Sequence, residues 1–247
     1  MSSRAGSKTG YTLITGATST IGVEVARRRS TTDRLLLHGR DMQALDALAS
    51  ELRAFTEVRI WCRDLASSEG LHEEFRQLLE PGDIHVERVV HAAGHLKILP
   101  FRSIELSDTM AIFNVNFFSI VEILRVLARK PHREHLNSVV LLSAFFSKFG
   151  DKGNAVYSSS KGALNSLIKG LAVEFPQTRY NTLILGVVRT RMTEHLFSQG
   201  ENAHRFSRYL LGTGRPSDVA DAVDFLLKED LWMTGQEIFL DGGASIA

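Results

Sequence analysis

The sequence predicts an α/β protein, a single domain built on a doubly wound, mostly parallel sheet flanked by helices. Three observations predict it. Short apolar runs alternate with longer helical stretches along nearly the whole chain, which is the pattern of βαβ units. The runs are near-continuous, as in RLLL at 34–37 and VVLL at 139–142, marking strands covered on both faces. A glycine-rich turn at 16–22 follows the first run directly and opens a helix, where such a sheet places its phosphate-binding loop.

Taken in order, Tyr11–Thr15 (YTLIT) reads as the first strand, and the helix opened at Gly22 runs through Arg29. Residues 35–38 make the second strand. Met42–Leu52 is a helix carrying Leu45, Leu48 and Leu52 on one face. Residues 57–62 form the third strand, followed by a helix at Leu71–Leu79 that Pro81-Gly82 ends. Val86–His91 is the fourth strand and runs into Ala92-Ala93-Gly94. One long helix is expected over 108–128, stopped by Pro131. Residues 138–143 are the fifth strand, and Ala155–Glu174 is a helix closed by Pro176. The sixth strand is 181–185, the last helix 217–227, and Glu237–Leu240 the final strand. Residues 1–10 read as a flexible polar tail and 11–247 as one domain. The irregular, basic stretch at 191–213 is expected to serve as a lid.

Composition narrows the function classes. The 247 residues are 44% hydrophobic and 23% charged, with 29 basic and 28 acidic side chains, an ordinary folded profile. A net charge of +1 argues against a nucleic-acid partner. The longest apolar stretch, around 139–146, falls short of the ~20 residues that cross a bilayer, so no membrane association is expected. The first ten residues lack the apolar core of a signal peptide. A single cysteine, Cys62, excludes an internal disulfide and fits the reducing cytoplasm.

Three motifs carry chemistry. In Gly16-Ala17-Thr18-Ser19-Thr20-Ile21-Gly22 the glycines allow a sharp turn and close backbone approach, and the free N–H groups at the helix start attract phosphate. After the second strand, Gly39 stands where an NAD site usually carries a carboxylate for the ribose, and Arg40 follows it. That favours NADP(H) over NAD(H), an arginine suiting the 2′-phosphate, while Asp41 reads as a helix cap. In Tyr157-Ser158-Ser159-Ser160-Lys161 the i, i+4 spacing puts a phenol and an ammonium on one helical face. The cation favours phenolate and so yields a general acid/base.

With these motifs in their order, the sequence resembles the short-chain dehydrogenase/reductase family, in its branch of about 250 residues typified by the 3-oxoacyl-carrier-protein reductases. The resemblance runs from Tyr11 to Asp241-Gly242-Gly243. Asp64-Leu65 resembles the pair that meets the adenine, and Ala92-Ala93-Gly94 the segment under the cofactor. Asn116 stands in the place of the family's fourth catalytic residue. Gly186, Val188, Thr190 and Met192 match the loop that clasps the nicotinamide. The resemblance implies a Rossmann fold and an NADP(H)-dependent oxidoreductase acting on a carbonyl or secondary alcohol. Tyr157 would exchange the proton, Lys161 would lower its pKa and hold the nicotinamide ribose, and Asn116 would hold a water joining Lys161 to solvent. No metal is implied. A homotetramer or homodimer is.

Four departures stand out. Thr20 replaces the middle glycine of the phosphate turn, His91 the first asparagine of N-N-A-G, and Leu185 the proline of the nicotinamide loop. The family's catalytic serine falls on Ala144, thirteen residues before Tyr157. Ser143 is then the candidate donor if the strand ends before it, with Ser147 as a second. The alternative is a cofactor-binding pseudo-enzyme, a sensor or assembly partner with little turnover. His95, Lys97, Arg191, His204, Arg205 and Arg208 admit two readings, solvated charges or the contacts of an anionic substrate.

Overall fold

Helices alternate with strands because each strand is apolar on both faces and must be covered twice. In the computed structural model, which describes residues 10–197 and 206–247, the strands are β1 (Tyr11–Thr15), β2 (Arg34–Gly39), β3 (Val58–Cys62), β4 (Val86–His91), β5 (Ser138–Ala144), β6 (Arg179–Leu185) and β7 (Glu237–Leu240). They form one sheet in the order β3-β2-β1-β4-β5-β6-β7, every pair parallel. The helices are α1 (Thr20–Arg29), α2 (Met42–Leu52), α3 (Leu71–Leu79), α4 (Leu106–Phe113), α5 (Ser119–Leu127), α6 (Ala155–Glu174), the single turn α7 (Glu194–Phe197) and α8 (Pro216–Leu226).

The alternation of side chains along each strand builds two cores. Leu13, Leu36, Val89, Val139 and Leu141 face α3, α5 and α6. Ile14, Leu35, Leu37, Val90, Val140, Leu142 and Leu183 face α1, α2 and α8. The chain leaves β1 toward β2 and β3, then returns to place β4 on the other side of β1. Between the carboxyl ends of β1 and β4 the connections diverge, and ligands of doubly wound sheets bind in that crevice.

Two expectations are corrected here. The long helix begins at Leu106 and is not uniform: Asn114–Phe118 is a π turn joining α4 to α5. The composite span Leu106–Leu127 is also long and apolar enough, by length and composition, to cross a membrane, unlike the stretch at 139–146. In the fold it is a core helix, with Ile112, Ile120, Ile123, Leu124, Val126 and Leu127 buried. Residues 1–9 of the expected tail and 198–205 of the expected lid, with His204 and Arg205, lie outside the described residues.

Candidate active site

The first connection is one that only glycine fits. Gly16 has φ +65°, and a Cβ there would stand 2.7 Å from Ala93 Cα, so the ends of β1 and β4 meet through backbone. Ser19 caps α1, its Oγ accepting from the Gly22 N–H at 3.0 Å. Thr20 Oγ1 accepts from the Arg191 N–H at 3.3 Å, tying the phosphate turn to the loop after β6. Ile21 points the other way, against the α1–α2–α8 core. Behind the turn the Gly16 N–H donates to His38 Nδ1 at 3.3 Å, and His38 Nε2 lies 3.0 Å from the Arg63 carbonyl. Burial pushes this imidazole down to about 4, so it stays neutral and acts as a strut.

A cleft of about 750 Å³ opens beside this turn, lined by Gly16, Thr18, Ser19, Arg40, Asp64, Leu65, Ala92, Ala93 and Gly94, among others. Arg40 is exposed at its rim. Asp41 caps α2, accepting from the Ala44 N–H at 3.1 Å, as expected of a cap. Asp64 Oδ1 accepts from the Ala66 N–H at 2.9 Å, which bends the chain around the cleft, and Leu65 anchors that bend in the core. The sequence reading missed Arg63. It lines the same cleft, pairs with Glu74 and keeps a buried Nε without a partner among the described residues. A lone arginine after a strand carries no periodic signal, so only the folded position discloses it.

A second cavity of about 240 Å³ continues from the first, sharing Ser19, Ala92, Gly94, Arg191 and Met192, and ends at Tyr157 and Lys161. Gly186, Val188, Thr190 and Met192 follow β6 in one tight segment. The Gly186 N–H donates to the Leu240 carbonyl at 3.0 Å, Thr193 Oγ1 donates to the Val188 carbonyl at 2.6 Å, and the Thr190 N–H donates to Thr193 Oγ1 at 3.0 Å. Lys161 is buried, and Nζ donates to the Leu142 carbonyl at 2.9 Å. Of its three N–H groups, two have no partner among the described residues. Burial pushes Lys161 down to about 8 and Tyr157 up to about 12. In this structure, desolvation sets the phenol, in place of the lowering expected from Lys161.

Asn116 sits within the π turn, fully buried. Its Oδ1 accepts from the His95 N–H at 2.7 Å, and its Nδ2 donates to the His95 carbonyl at 3.0 Å and to Ser160 Oγ at 2.9 Å. The amide is a clamp between the loop after β4 and helix α6. Its main-chain carbonyl lies 3.3 Å from His91 Nε2, whose Nδ1 meets Thr15 Oγ1 at 2.8 Å. Burial, with the nearby Lys161 charge, pushes His91 down to about 3.

Ser143 lines the smaller cavity with Tyr157 and Lys161, though not through the strand end that the sequence suggested. The strand does not end before it: β5 runs through Ala144, which is extended at φ −136°, ψ 150°. Neighbouring side chains therefore take opposite faces. Ser143 Oγ donates to the Lys161 carbonyl at 3.1 Å and lies 3.3 Å from Ser147 Oγ. Ser147 Oγ in turn accepts from Asn165 Nδ2 at 2.9 Å. Ala144 lines a third cavity of about 490 Å³ together with Leu96, Ile98, Phe145, Asn154, Tyr157 and Arg208. Tyr157, Leu185 and Met192 wall both this cavity and the smaller one. A phenol thus divides a glycine-lined cleft from an apolar chamber.

A family model described as Enoyl-(Acyl carrier protein) reductase matches residues 16–245. The chain belongs to the short-chain dehydrogenase/reductase family. Among its relatives, a 3-oxoacyl-(acyl-carrier-protein) reductase of Thermotoga maritima is 27% identical over 95% of this chain and 97% of its own. An uncharacterized oxidoreductase of Bacillus subtilis is 27% identical over 94% and 97%. The cyclopentanol dehydrogenase of a Comamonas strain is 28% identical over 64% of this chain, and the match spans 65% of its length. A gluconate 5-dehydrogenase of Burkholderia cenocepacia, solved with NADP and tartrate, shares the fold at a TM-score of 0.88 with 22% identity over 96% of each chain. A 4-hydroxyisoleucine dehydrogenase solved with NADH superposes equally well, at 0.88 and 23% identity over 96% of this chain and 99% of its own.

The residues present fit a nicotinamide dinucleotide, the cofactor class of these oxidoreductases. Two joined cavities run from Arg40 to Tyr157 along a floor of glycine and alanine. Gly94 lies on this floor between Lys161 and Asn116, where a Cβ would stand 3.7 Å from Lys161 Nζ and 3.8 Å from Asn116 Oδ1. The spare N–H groups of Lys161 suit ribose hydroxyls.

Proposed function

We propose that this short-chain dehydrogenase/reductase is an NADP(H)-dependent enzyme acting on a carbonyl or secondary alcohol, the nicotinamide supplying or taking up the hydride. The observation that supports it best is Tyr157 on the wall between the two inner cavities, where its hydroxyl reaches a substrate oxygen held in the chamber. Tyr157 gives a proton to the carbonyl oxygen in reduction and takes it from the alcohol in oxidation. Lys161, at the end of the same small cavity as Tyr157, holds the nicotinamide ribose through its spare N–H groups. Asn116 keeps the loop after β4 fixed against α6, so that substrate and cofactor meet in one orientation. Met192, with Gly186, Val188 and Thr190, closes over the nicotinamide end, and the 191–213 stretch serves as the lid.

Arg40 at the rim supports NADP(H) over NAD(H), with Arg63 beside it. Arg40→Ala is expected to weaken NADPH binding about tenfold or more and leave NADH binding unchanged, a double charge-assisted contact being lost; titration of both cofactors checks this. An anionic substrate is supported by Arg208, which lines the chamber and lies over the Phe145 ring at 4.9 Å. Exposed Leu106, Met110 and Trp232, with Phe239 on the edge strand β7, support a homodimer or homotetramer; light scattering reads the assembly.

The second reading, a cofactor-binding pseudo-enzyme, is favoured by Ala144, which lines the chamber beside Tyr157 without a hydroxyl. An NADPH-dependent assay over a carbonyl panel with wild type and Tyr157→Phe separates the two. Turnover that the variant loses supports the enzyme. Cofactor binding without any Tyr157-dependent turnover supports the pseudo-enzyme.

A further inference from the structure

The chamber on the substrate side is mostly aromatic and aliphatic, and its polar groups are largely spoken for. Thr193 Oγ1 donates to the Val188 carbonyl at 2.6 Å. The Tyr209 hydroxyl accepts from the Val187 N–H at 3.3 Å. Apart from the Tyr157 hydroxyl and Arg208, Asn154 stands out. It lines the chamber with Ala144 and Tyr157, is 1% exposed, and its Oδ1 has no hydrogen-bond partner among the described residues. The other end of the amide is pinned, with Nδ2 donating to Asp151 Oδ2 at 3.1 Å. Asp151 Oδ1 accepts from the Lys152 N–H at 2.9 Å, so the carboxylate fixes which end of the amide stays unpaired. Gly153 before it is held at φ +78° against Ile98 and Leu99, and the Leu99 N–H donates to its carbonyl at 3.1 Å. The position of Asn154 is therefore built from both sides.

An amide oxygen can only accept. It cannot polarise a substrate carbonyl, and in the reverse direction the proton of the reacting alcohol goes to Tyr157. Its partner is a second donor on the substrate. Asn154 flanks the first turn of α6, three residues before Tyr157, and the two side chains line the same chamber. A substrate whose second donor neighbours the reacting centre would reach both from within that chamber.

Resting on the reading of Tyr157 as the acid/base, we propose that Asn154 is a substrate-binding residue that selects compounds with a hydroxyl beside the reacting carbon. The reaction class is then interconversion of an α-hydroxy ketone and a vicinal diol. In reduction the carbonyl carbon gains the hydride, its oxygen gains the Tyr157 proton, and the neighbouring hydroxyl is unchanged while donating to Asn154 Oδ1. The contact takes up in part the orienting role of the hydroxyl that Ala144 lacks.

The test uses matched pairs that differ only in that hydroxyl: 2-hydroxycyclohexanone with cyclohexanone, and 1-hydroxy-2-butanone with 2-butanone. Each is measured for NADPH-dependent turnover and for binding to NADPH-loaded protein. Wild type is expected to favour the hydroxylated member by at least about tenfold in kcat/KM, since a site built around a hydrogen bond rejects the analogue that lacks it. In Asn154→Leu the ratio is expected to fall to about one; Asn154→Ala reads the same ratio should the leucine variant not fold. A residue that only supports the fold would lower both members in parallel and leave the ratio intact. No hydroxyl preference in wild type, in turnover or binding, overturns the proposal, as does a preference that survives in both variants. The two readings fail separately. Turnover without hydroxyl discrimination sinks the role of Asn154 alone. Asn154-dependent discrimination in binding without Tyr157-dependent turnover sinks the catalytic reading alone.

Discussion

At Tyr157 and Lys161 burial decides which group carries the proton. The phenol stands near 12 and the ammonium near 8, so at neutral pH both are protonated and the site is loaded to donate. That is the state carbonyl reduction uses. Reduction is expected to hold steady from about pH 6 to 7.5 and to fall above about 8, as Lys161 loses its charge. Alcohol oxidation needs the phenol deprotonated and is expected to climb about tenfold per pH unit over the same range. Parallel kcat/KM profiles in the two directions would contradict this assignment. Ala144 makes a second residue-scale prediction. Its side chain faces the chamber at the end of β5, so Ala144→Ser puts a hydroxyl there without disturbing Ser143. A preorganised donor of this kind is worth roughly 10²–10³ in rate. With Asn154 already orienting the substrate, a gain in kcat of about 10² is expected in steady-state assays. Thr20→Gly takes a side chain off the phosphate turn and cuts the tie to Arg191. NADPH affinity is expected to rise severalfold by titration, the backbone approaching the pyrophosphate more closely.

Among the elements, the junction of α4 and α5 matters most to the site. A π turn widens the helix at Asn114–Phe118, and such turns gather at functional positions. Here it presents Asn116 toward His95 and Ser160 while its carbonyl faces His91. Asn116→Ala leaves the His95 N–H and carbonyl unpaired in a buried place, at about 1–3 kcal/mol. A fall in denaturation midpoint of that size is expected, together with faster amide exchange across 92–99. Unchanged exchange in that loop would remove Asn116 from its role as clamp. The same elements show what was legible in the sequence. Periodicity placed every strand and every long helix, because apolar runs and 3.6-residue spacing record burial directly. It read 108–128 as one helix, because a single wide turn shifts the apolar stripe too little to register. It ended β5 at Ser143 rather than Ala144, and that one residue decides which side chain lines the apolar chamber and which the smaller cavity. Asn154 was passed over because a polar residue ahead of a helix reads as a cap. It makes no cap here, and its use depends on the pinning by Asp151.

Across the whole molecule, the glycine turn, the Tyr157–Lys161 pair and the order of strands were legible because they are local and sequential. The three joined cavities were not, since they arise where β1, β4, β5 and β6 end side by side. The same convergence buries two imidazoles at the switch point of the sheet. His38 stands near 4 and His91 near 3, desolvation being the main cause of both. Each is depressed below its unfolded value of about 6.5. The folded state therefore binds fewer protons than the unfolded chain between those limits, and stability is lost as pH falls below about 6.5. By pH 5 the loss is about 2 kcal/mol for each group. The thermal midpoint is thus expected to drop between pH 7.5 and 5, and more steeply than surface carboxylates alone would produce. His91→Asn keeps a polar side chain between Thr15 and the Asn116 carbonyl but cannot titrate. This variant is expected to lose about half of the excess slope, and the double variant with His38→Asn nearly all of it. Differential scanning calorimetry at matched ionic strength reads the slopes. A wild-type curve flat from pH 7.5 to 5 would mean that these imidazoles take up protons in the fold, and that the struts behind the phosphate turn and the Asn116 clamp are looser than their hydrogen bonds imply.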